Sequence, residues 1–336
     1  MALYAESCGH FIEVDTIYFG GGTPSLLPEK CIENLLDACD KFFVIQNNCE
    51  ISMEANPDTL GGNKVAFLRQ AGINRLSIGA QSLQDPELQA LGRRHNAKAI
   101  VESVRRSKRG CIANVNLDIL LGLPYQTPRN WRDTLTRVSK LDVEHVSVYM
   151  LDLDEPCSLS EAVAAGNLSV PGEDAVAEMY LEAIDLLNSF GYVQYEISNF
   201  ARKNRTCLHN QKYWKQQPVI GFGLSSHSFD GTARYANFQS MECYIQALQS
   251  TIQPVEWHKT LDRKEKLEEK LFLGLRMNEG VDWAQIQKDY PLDCLEEYEN
   301  AMQRFIQEGM VKRKGSVLCL SPRGMLLSNE IFQIFV

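Results

Sequence analysis

At 336 residues the chain is long enough for one large domain with an appendage, or for two domains. Its 44% hydrophobic residues suffice for a core, and 23% charged residues is an ordinary share for a globular protein. The net charge of -9 argues against nucleic acid or an anionic membrane as the main partner, because both need a basic face. No apolar run reaches membrane-spanning length, so no membrane insertion is expected. Residues 1–10 carry no signal or transit signature, which makes the cytoplasm the expected compartment, or the mitochondrion if a presequence precedes the chain in a eukaryote. The basic run Arg105-Arg106-Ser107-Lys108-Arg109 reads as a solvated helix end.

Residues 14–19, β-branched and aromatic, read as a buried strand, and Gly20-Gly21-Gly22-Thr23-Pro24 follows at its carboxyl end. Pro28 then opens a helix with Ile32, Leu35, Leu36, Cys39 and Phe42 at helical spacing. The glycines are either a tight strand-to-helix turn or a cradle of bare N–H and C=O groups for a zwitterion or phosphate. A strand–helix rhythm continues from there. Strands are expected at 49–54, 74–80, 113–120, 143–151 and 192–197. Helices are expected around 65–71, from Asp85-Pro86, at 97–109, from Thr127-Pro128, and at 173–190. Such alternation implies a parallel sheet with right-handed crossovers, and the absence of G-x-G-x-x-G favours a barrel or part-barrel over a Rossmann sheet.

Gly20 to Gly22, Glu54, Gln81, Asp118, Asp152 and Glu196 all fall at or near strand carboxyl ends. In a barrel those ends form one ligand-binding face. The rhythm breaks near residue 203. A polar stretch leads to His209-Asn210-Gln211-Lys212-Tyr213-Trp214, then to a glycine- and serine-rich segment around His227. Helices at 261–277 and 295–309 and a hairpin at 311–320 make a winged-helix-like module, whose Glu265, Glu268 and Glu269 point to packing rather than DNA. The expected domains are 1–202, 203–258 and 259–336. Ten cysteines are scattered without any C-x-x-C, as befits reduced thiols, so no metal site is read from spacing.

Taken together, YFGGGTPSLL (18–27), EANP (54–57), RLSIGAQS (75–82), LGRRH (91–95), NLDILLGLPYQT (116–127), YEISNFAR (195–202) and HNQKYW (209–214) resemble one family. It is the radical S-adenosylmethionine (SAM) proteins related to oxygen-independent coproporphyrinogen III oxidase, in the branch of HemW-type heme chaperones. The resemblance implies an α/β fold: an incomplete (β/α)6 radical SAM part-barrel with a C-terminal winged-helix-like, mainly helical module. It implies SAM contacts from Gly21, Gly22, Thr23, Glu54, Gln81, Arg93, Asp118 and Asp152. Arginine can fork onto the SAM carboxylate, and carboxylate and amide can hold hydroxyls and an ammonium. It also implies heme binding through HNQKYW, with His209 as axial ligand and Tyr213 and Trp214 flanking the porphyrin.

The family further implies a [4Fe-4S] cluster on a C-x-x-x-C-x-x-C loop, and that spacing does not occur here; only Cys8 precedes Gly20. The expectation is a family member without its first strand, its cluster loop and part of its first helix, and with no catalytic residue assigned. It would bind heme and deliver it to apo-proteins, with dimerisation left open. An oxygen-independent coproporphyrinogen III oxidase-like decarboxylase and a non-catalytic interaction remnant stand as the alternatives.

Overall fold

The structure is a computed structural model that describes residues 1–9, 11–291 and 294–335. From the N-terminus, α1 (Ala2–Cys8) leads into β1 (Glu13–Phe19), α2 (Glu29–Phe42) and β2 (Val44–Ala55). Then come α3 (Lys64–Gln70), β3 (Arg75–Gln81), α4 (Asp85–Ala90), α5 (Ala97–Arg109) and β4 (Asn114–Leu121). They are followed by α6 (Pro128–Lys140), β5 (His145–Met150), α7 (Ser158–Ala164), α8 (Glu173–Ser189), β6 (Val193–Gln194) and β7 (Asn199–Ala201). The chain falls into two compact units. One holds residues 16–34 and 50–206, and the other residues 1–15, 35–49 and 207–336.

Among the described residues β1 to β7 form a seven-stranded sheet in the order β1-β2-β3-β4-β5-β7-β6. The pairings from β2 through β5 are parallel, as the alternation requires. The last expected strand is different. Residues 192–197 do not form one parallel strand; β6 is two residues long and pairs antiparallel with β7, which itself runs antiparallel to β5. A turn causes this reversal: Tyr180 and Gln194 both donate to the Ile197 carbonyl, while Glu196 accepts from the Ser198 N–H. The expected (β/α)6 part-barrel is therefore a seven-strand half-barrel whose far edge folds back on itself.

The helices stop and start where local chemistry dictates. Asn96 accepts from the Ala99 N–H to open α5, and Thr127 accepts from the Asn130 N–H to open α6, with Pro128 at the first helical position. On α6, Trp131, Leu135 and Val138 are fully buried, and the Trp131 indole donates to the Met179 carbonyl at 2.9 Å. Such burial stabilises by roughly 1.5–3 kcal/mol per large side chain. Alternation within the strands sorts the two faces of the sheet. Val115, Leu117, Ile119 and Leu121 of β4 are wholly buried, and α5 and α8 pack on that strand. Asn114, Asn116 and Asp118 take the opposite, polar face.

In the second unit α9 (Leu208–Trp214) precedes β8 (His227–Phe229), β9 (Ala233–Asn237), α10 (Met241–Gln249) and β10 (Val255–Thr260). The strands make an antiparallel sheet in the order β10-β9-β8, which the glycine- and serine-rich sequence there does not announce. Next are α11 (Arg263–Arg276), β11 (Val281–Asp282), α12 (Trp283–Asp289), α13 (Glu296–Gln307), β12 (Val311–Lys314) and β13 (Val317–Leu320). Asp262 and Glu265 close a reciprocal capping box at the start of α11. The expected hairpin is present, and β11 adds a third strand to it, giving the order β11-β13-β12. Two short helices, α14 (Pro322–Leu326) and α15 (Ser328–Phe332), finish the chain. Among the described residues no helix is long and apolar enough to cross a membrane.

Candidate functional site

The three glycines answer to two different constraints. A Cβ on Gly20 would lie 2.8 Å from the Tyr18 ring and 3.2 Å from Glu54 Oε1, so that residue must be bare. Gly21 and Gly22 instead hold φ of +82° and +66°, with open space where their side chains would be. The turn is then tied to the next strand. Gly21 N–H donates to Glu54 Oε2 at 3.1 Å, and the Tyr18 hydroxyl donates to Glu54 Oε1 at 3.0 Å. Asn56 donates to the Thr23 hydroxyl at 3.1 Å, and Ser25 and Thr59 share a hydrogen bond of 2.7 Å. GGGT and EANP thus fold into one polar turn pair.

Gln81, the last residue of β3, adopts φ +59°, a left-handed conformation that costs about 1–3 kcal/mol in a non-glycine residue. The pairing with β4 slips between Gly79 and Gln81. The amide folds back over Gly79, where a Cβ would sit 2.7 Å from Gln81 Nε2. Its Oε1 is buried with no hydrogen-bond partner. A strained backbone holding an unsatisfied buried acceptor is what a ligand's hydroxyl or ammonium would complete. The glycine cradle, Glu54 and Gln81 accordingly fit the polar portions of SAM.

The other residues named from the sequence are less uniform. Arg93 is exposed just past Gly92, and partial burial of its guanidinium lowers its pKa while Asp58 nearby raises it. Asp118 lies at the fifth position of β4 rather than at its end. Its carboxylate accepts from Ser77 Oγ at 2.9 Å and Asn116 Nδ2 at 2.8 Å. Burial pushes this carboxyl up, hydrogen bonds from Ser77, Ser147 and Asn116 pull it down, and Glu54 adds an upward push. Asp152 is exposed beyond β5 and accepts from the Asp154 N–H, an ordinary turn bond. Glu196 is fully buried in the turn before β7 and contributes packing of that edge.

A polar chain inside the half-barrel escaped the reading of strand ends. Asn116 donates toward Ser77 and Ser147, while its carbonyl meets His145 Nδ1 at 2.7 Å. His145 Nε2 in turn meets the Tyr195 hydroxyl at 2.8 Å. Burial, and secondarily Arg75, hold His145 well below the usual histidine range, so it is neutral near pH 7. The alternation N-V-N-L-D-I over 114–119 and H-V-S-V over 145–148 is the signal that would have found it.

The cluster does not fit. None of the ten cysteines forms a disulfide, and among the described residues no three His, Cys, Asp or Glu side chains converge as around a metal.

HNQKYW occupies helix α9 in the other unit. His209 is buried, 8% exposed, and its Nε2 lies 3.3 Å from the Tyr213 hydroxyl one turn on. Burial, with Lys212 adding to it and Asp15 opposing, lowers its pKa to about 4, so the ring is neutral. Lys212 reaches Asp15 at 2.7 Å. Tyr213 is 42% exposed, whereas the Trp214 ring is covered by the Arg276 guanidinium at 4.3 Å. The structure therefore brings the three motif residues together on one helix but turns the His209 ring inward.

Residues 2–138 match the model of the radical SAM superfamily, and residues 261–327 match that of the HemN C-terminal domain. The heme chaperone HemW of Bacillus subtilis is 32% identical, over 96% of this chain and 86% of its own length. The mitochondrial radical S-adenosyl methionine domain-containing protein 1 of Danio rerio is 36% identical, over 80% of this chain and 62% of its own. The fold matches coproporphyrinogen III oxidase (HemN) of Escherichia coli with a TM-score of 0.84 at 22% identity, covering 99% of this chain and 81% of that one. With its glycine turn pair, its half-barrel and its HNQKYW helix, this chain belongs to the radical SAM family, in the HemW-type branch related to HemN.

Proposed function

We propose that this protein binds heme and passes it to apo-proteins, a reading supported by the name heme chaperone given to its Bacillus relative. The observation that carries the reading is α9, which presents Tyr213 of the HNQKYW motif at the surface and keeps His209 neutral beneath it. A neutral imidazole and one exposed aromatic ring suit a flat, apolar macrocycle. The working compartment is the cytoplasm, or the mitochondrion in a eukaryotic host, in line with the zebrafish relative's name.

SAM binding belongs to the same proposal. Gly21, Gly22 and Thr23 would take the amino-acid end, with Glu54, Gln81 and Arg93 supplying acceptors and a guanidinium, and Asp118 and Asp152 further contacts. When bound, SAM supplies a sulfonium primed for reductive cleavage. The chain's own residues hold Glu54 in place and leave Gln81 Oε1 waiting for a donor. Because its thiols do not converge, no radical step follows from these residues.

Two experiments bear on this. Ferric heme titrated into the protein gives a Soret shift that saturates near one equivalent; a folded sample showing no saturable shift overturns the heme reading. After anaerobic treatment with iron and sulfide, then dithionite and SAM, no 5′-deoxyadenosine forms. Its detection would show that a cluster assembles after all, and turnover of coproporphyrinogen would favour an oxidase.

A further inference from the structure

Two rows of side chains cross the polar face of the half-barrel. Ser77 of β3, Asn116 of β4 and His145 of β5 are register partners and form the first row. Gly79, Asp118 and Ser147 form the second, one step nearer the carboxyl ends. Gly79 leaves that row without a side chain beside Asp118. The Gln81 amide occupies the place instead, its Nε2 2.7 Å from where a Cβ on Gly79 would stand. Asp118 is thus the one carboxylate of the two rows, and it shares its row with the amide whose Oε1 lacks a donor. The first row is sealed where it meets β5, with Asn116 5% and His145 1% exposed.

The hydrogen-bond partners leave one consistent placement of the protons. Ser77 Oγ donates to Asp118 Oδ2 at 2.9 Å, so it accepts from Asn116 Nδ2 at 2.7 Å. The same Nδ2 lies 2.8 Å from Asp118 Oδ1 and 3.0 Å from Ser147 Oγ. Turning the amide over would set its oxygen against the carboxylate, so it is Asn116 Oδ1 that faces His145 Nδ1, 2.7 Å away. An amide oxygen carries no proton, and the ring proton is therefore on Nδ1. The ring is neutral, held so by burial and secondarily by Arg75. That leaves Nε2 as a bare acceptor for the Tyr195 hydroxyl at 2.8 Å. The fold-back after β6 supplies this hydroxyl. Tyr195 N–H donates to the Asn199 carbonyl at 3.0 Å, and its ring stands edge-on to His145 with centroids 5.6 Å apart.

We propose that His145 and Tyr195 are positioning residues for the SAM contact at Asp118: Tyr195 fixes the histidine tautomer, the histidine fixes the Asn116 amide, and the amide orients the carboxylate. This deepens the SAM-binding reading and rests on it. Asn116 cannot do this alone. Without a donor at Oδ1 the amide has a buried acceptor unpaired and is free to turn, and once turned it repels the carboxylate it now supports. No bond is made or broken in these steps; the four side chains only fix where a ligand finds its acceptor.

The test pairs calorimetric titration with SAM and nitrogen NMR of the histidine rings, both on the full chain. In the wild type the His145 ring is neutral with its proton on Nδ1. Tyr195→Phe mixes the two tautomers and weakens SAM binding about threefold, and His145→Phe weakens it about tenfold. His145→Gln, whose amide N–H can replace the ring donor, recovers most of that loss. The deciding readout is the cycle with Asp118→Asn: once the carboxylate is gone, His145→Phe costs no further affinity. A wild-type proton on Nε2, or a loss of equal size with and without Asp118, overturns the assignment and leaves SAM binding standing. If His145→Phe fails to fold, the same cycle run with Tyr195→Phe carries the same two outcomes. A folded wild type with no saturable heat of SAM binding overturns the SAM reading and this assignment together.

Discussion

Replacing Glu50 with alanine destabilises the half-barrel by about 3–5 kcal/mol, the usual cost of leaving a buried charge without its partner. Glu50 opens the polar face of β2 and accepts from Arg75 Nε at 2.9 Å, with the two side chains 7% and 3% exposed. Arg75 Nη2 also donates to the carbonyls of Arg205 and Thr206, at 2.8 Å each, which anchors the chain as it leaves the sheet edge. Nη1 is buried with no partner, so the guanidinium has no spare solvation to fall back on. Removing both charges, in Glu50→Leu with Arg75→Met, costs less than the sum of the single changes. It still leaves two carbonyls without a donor, at about 1–3 kcal/mol each. Hydrogen exchange of the β3 amides reads this directly, since exchange there follows opening of this unit. Unchanged exchange in Glu50→Ala would mean that water reaches Arg75 and the pair is solvated.

The same pair illustrates how much of the molecule a sequence discloses. Most strand and helix positions through residue 190, α7 and the first five residues of β2 excepted, follow from hydrophobic period and caps, because Asn96, Thr127 and Pro128 act within their own helical turn. Gly20 to Gly22 stand out for the same reason, as their conformations are local. Partnerships across 25 residues or more carry no such mark. Nothing in the spacing links Glu50 to Arg75, or His145 to Tyr195, yet these contacts decide which face of the sheet is polar. The fold-back of β6 onto β7 was hidden because Y-V-Q-Y-E-I has strand composition. Its reversal depends on Tyr180, contributed by α8. The inward turn of His209 is tertiary too: the motif identifies the helix, and only packing tells which side of it is covered.

His209→Gln removes an acid sensitivity that the wild-type unit carries between about pH 6.5 and 4. The folded pKa is about 4, against about 6.5 for an unfolded histidine. Above pH 6.5 the ring is neutral in both states and contributes no pH dependence. As pH falls below that, the unfolded chain takes up a proton that the folded chain refuses, so stability drops. The loss reaches about 2 kcal/mol at pH 5 and levels off near 3 kcal/mol below pH 4. Burial is the main cause; Lys212 adds to it, and Asp15 opposes it through its own ion pair with that lysine. His95 and His145, whose values are also lowered, act with the same sign in the other unit. Glu87 and Asp118 act against them, because a carboxyl raised by burial becomes less of a liability as pH falls. The comparison that isolates His209 is therefore the difference between wild type and His209→Gln in thermal midpoint at pH 7 and pH 5. That difference should shift by about 2 kcal/mol in favour of the glutamine variant at the lower pH. A pH-independent difference would mean that His209 is open to water in solution. In that case the ring would stand ready to bind a heme iron itself.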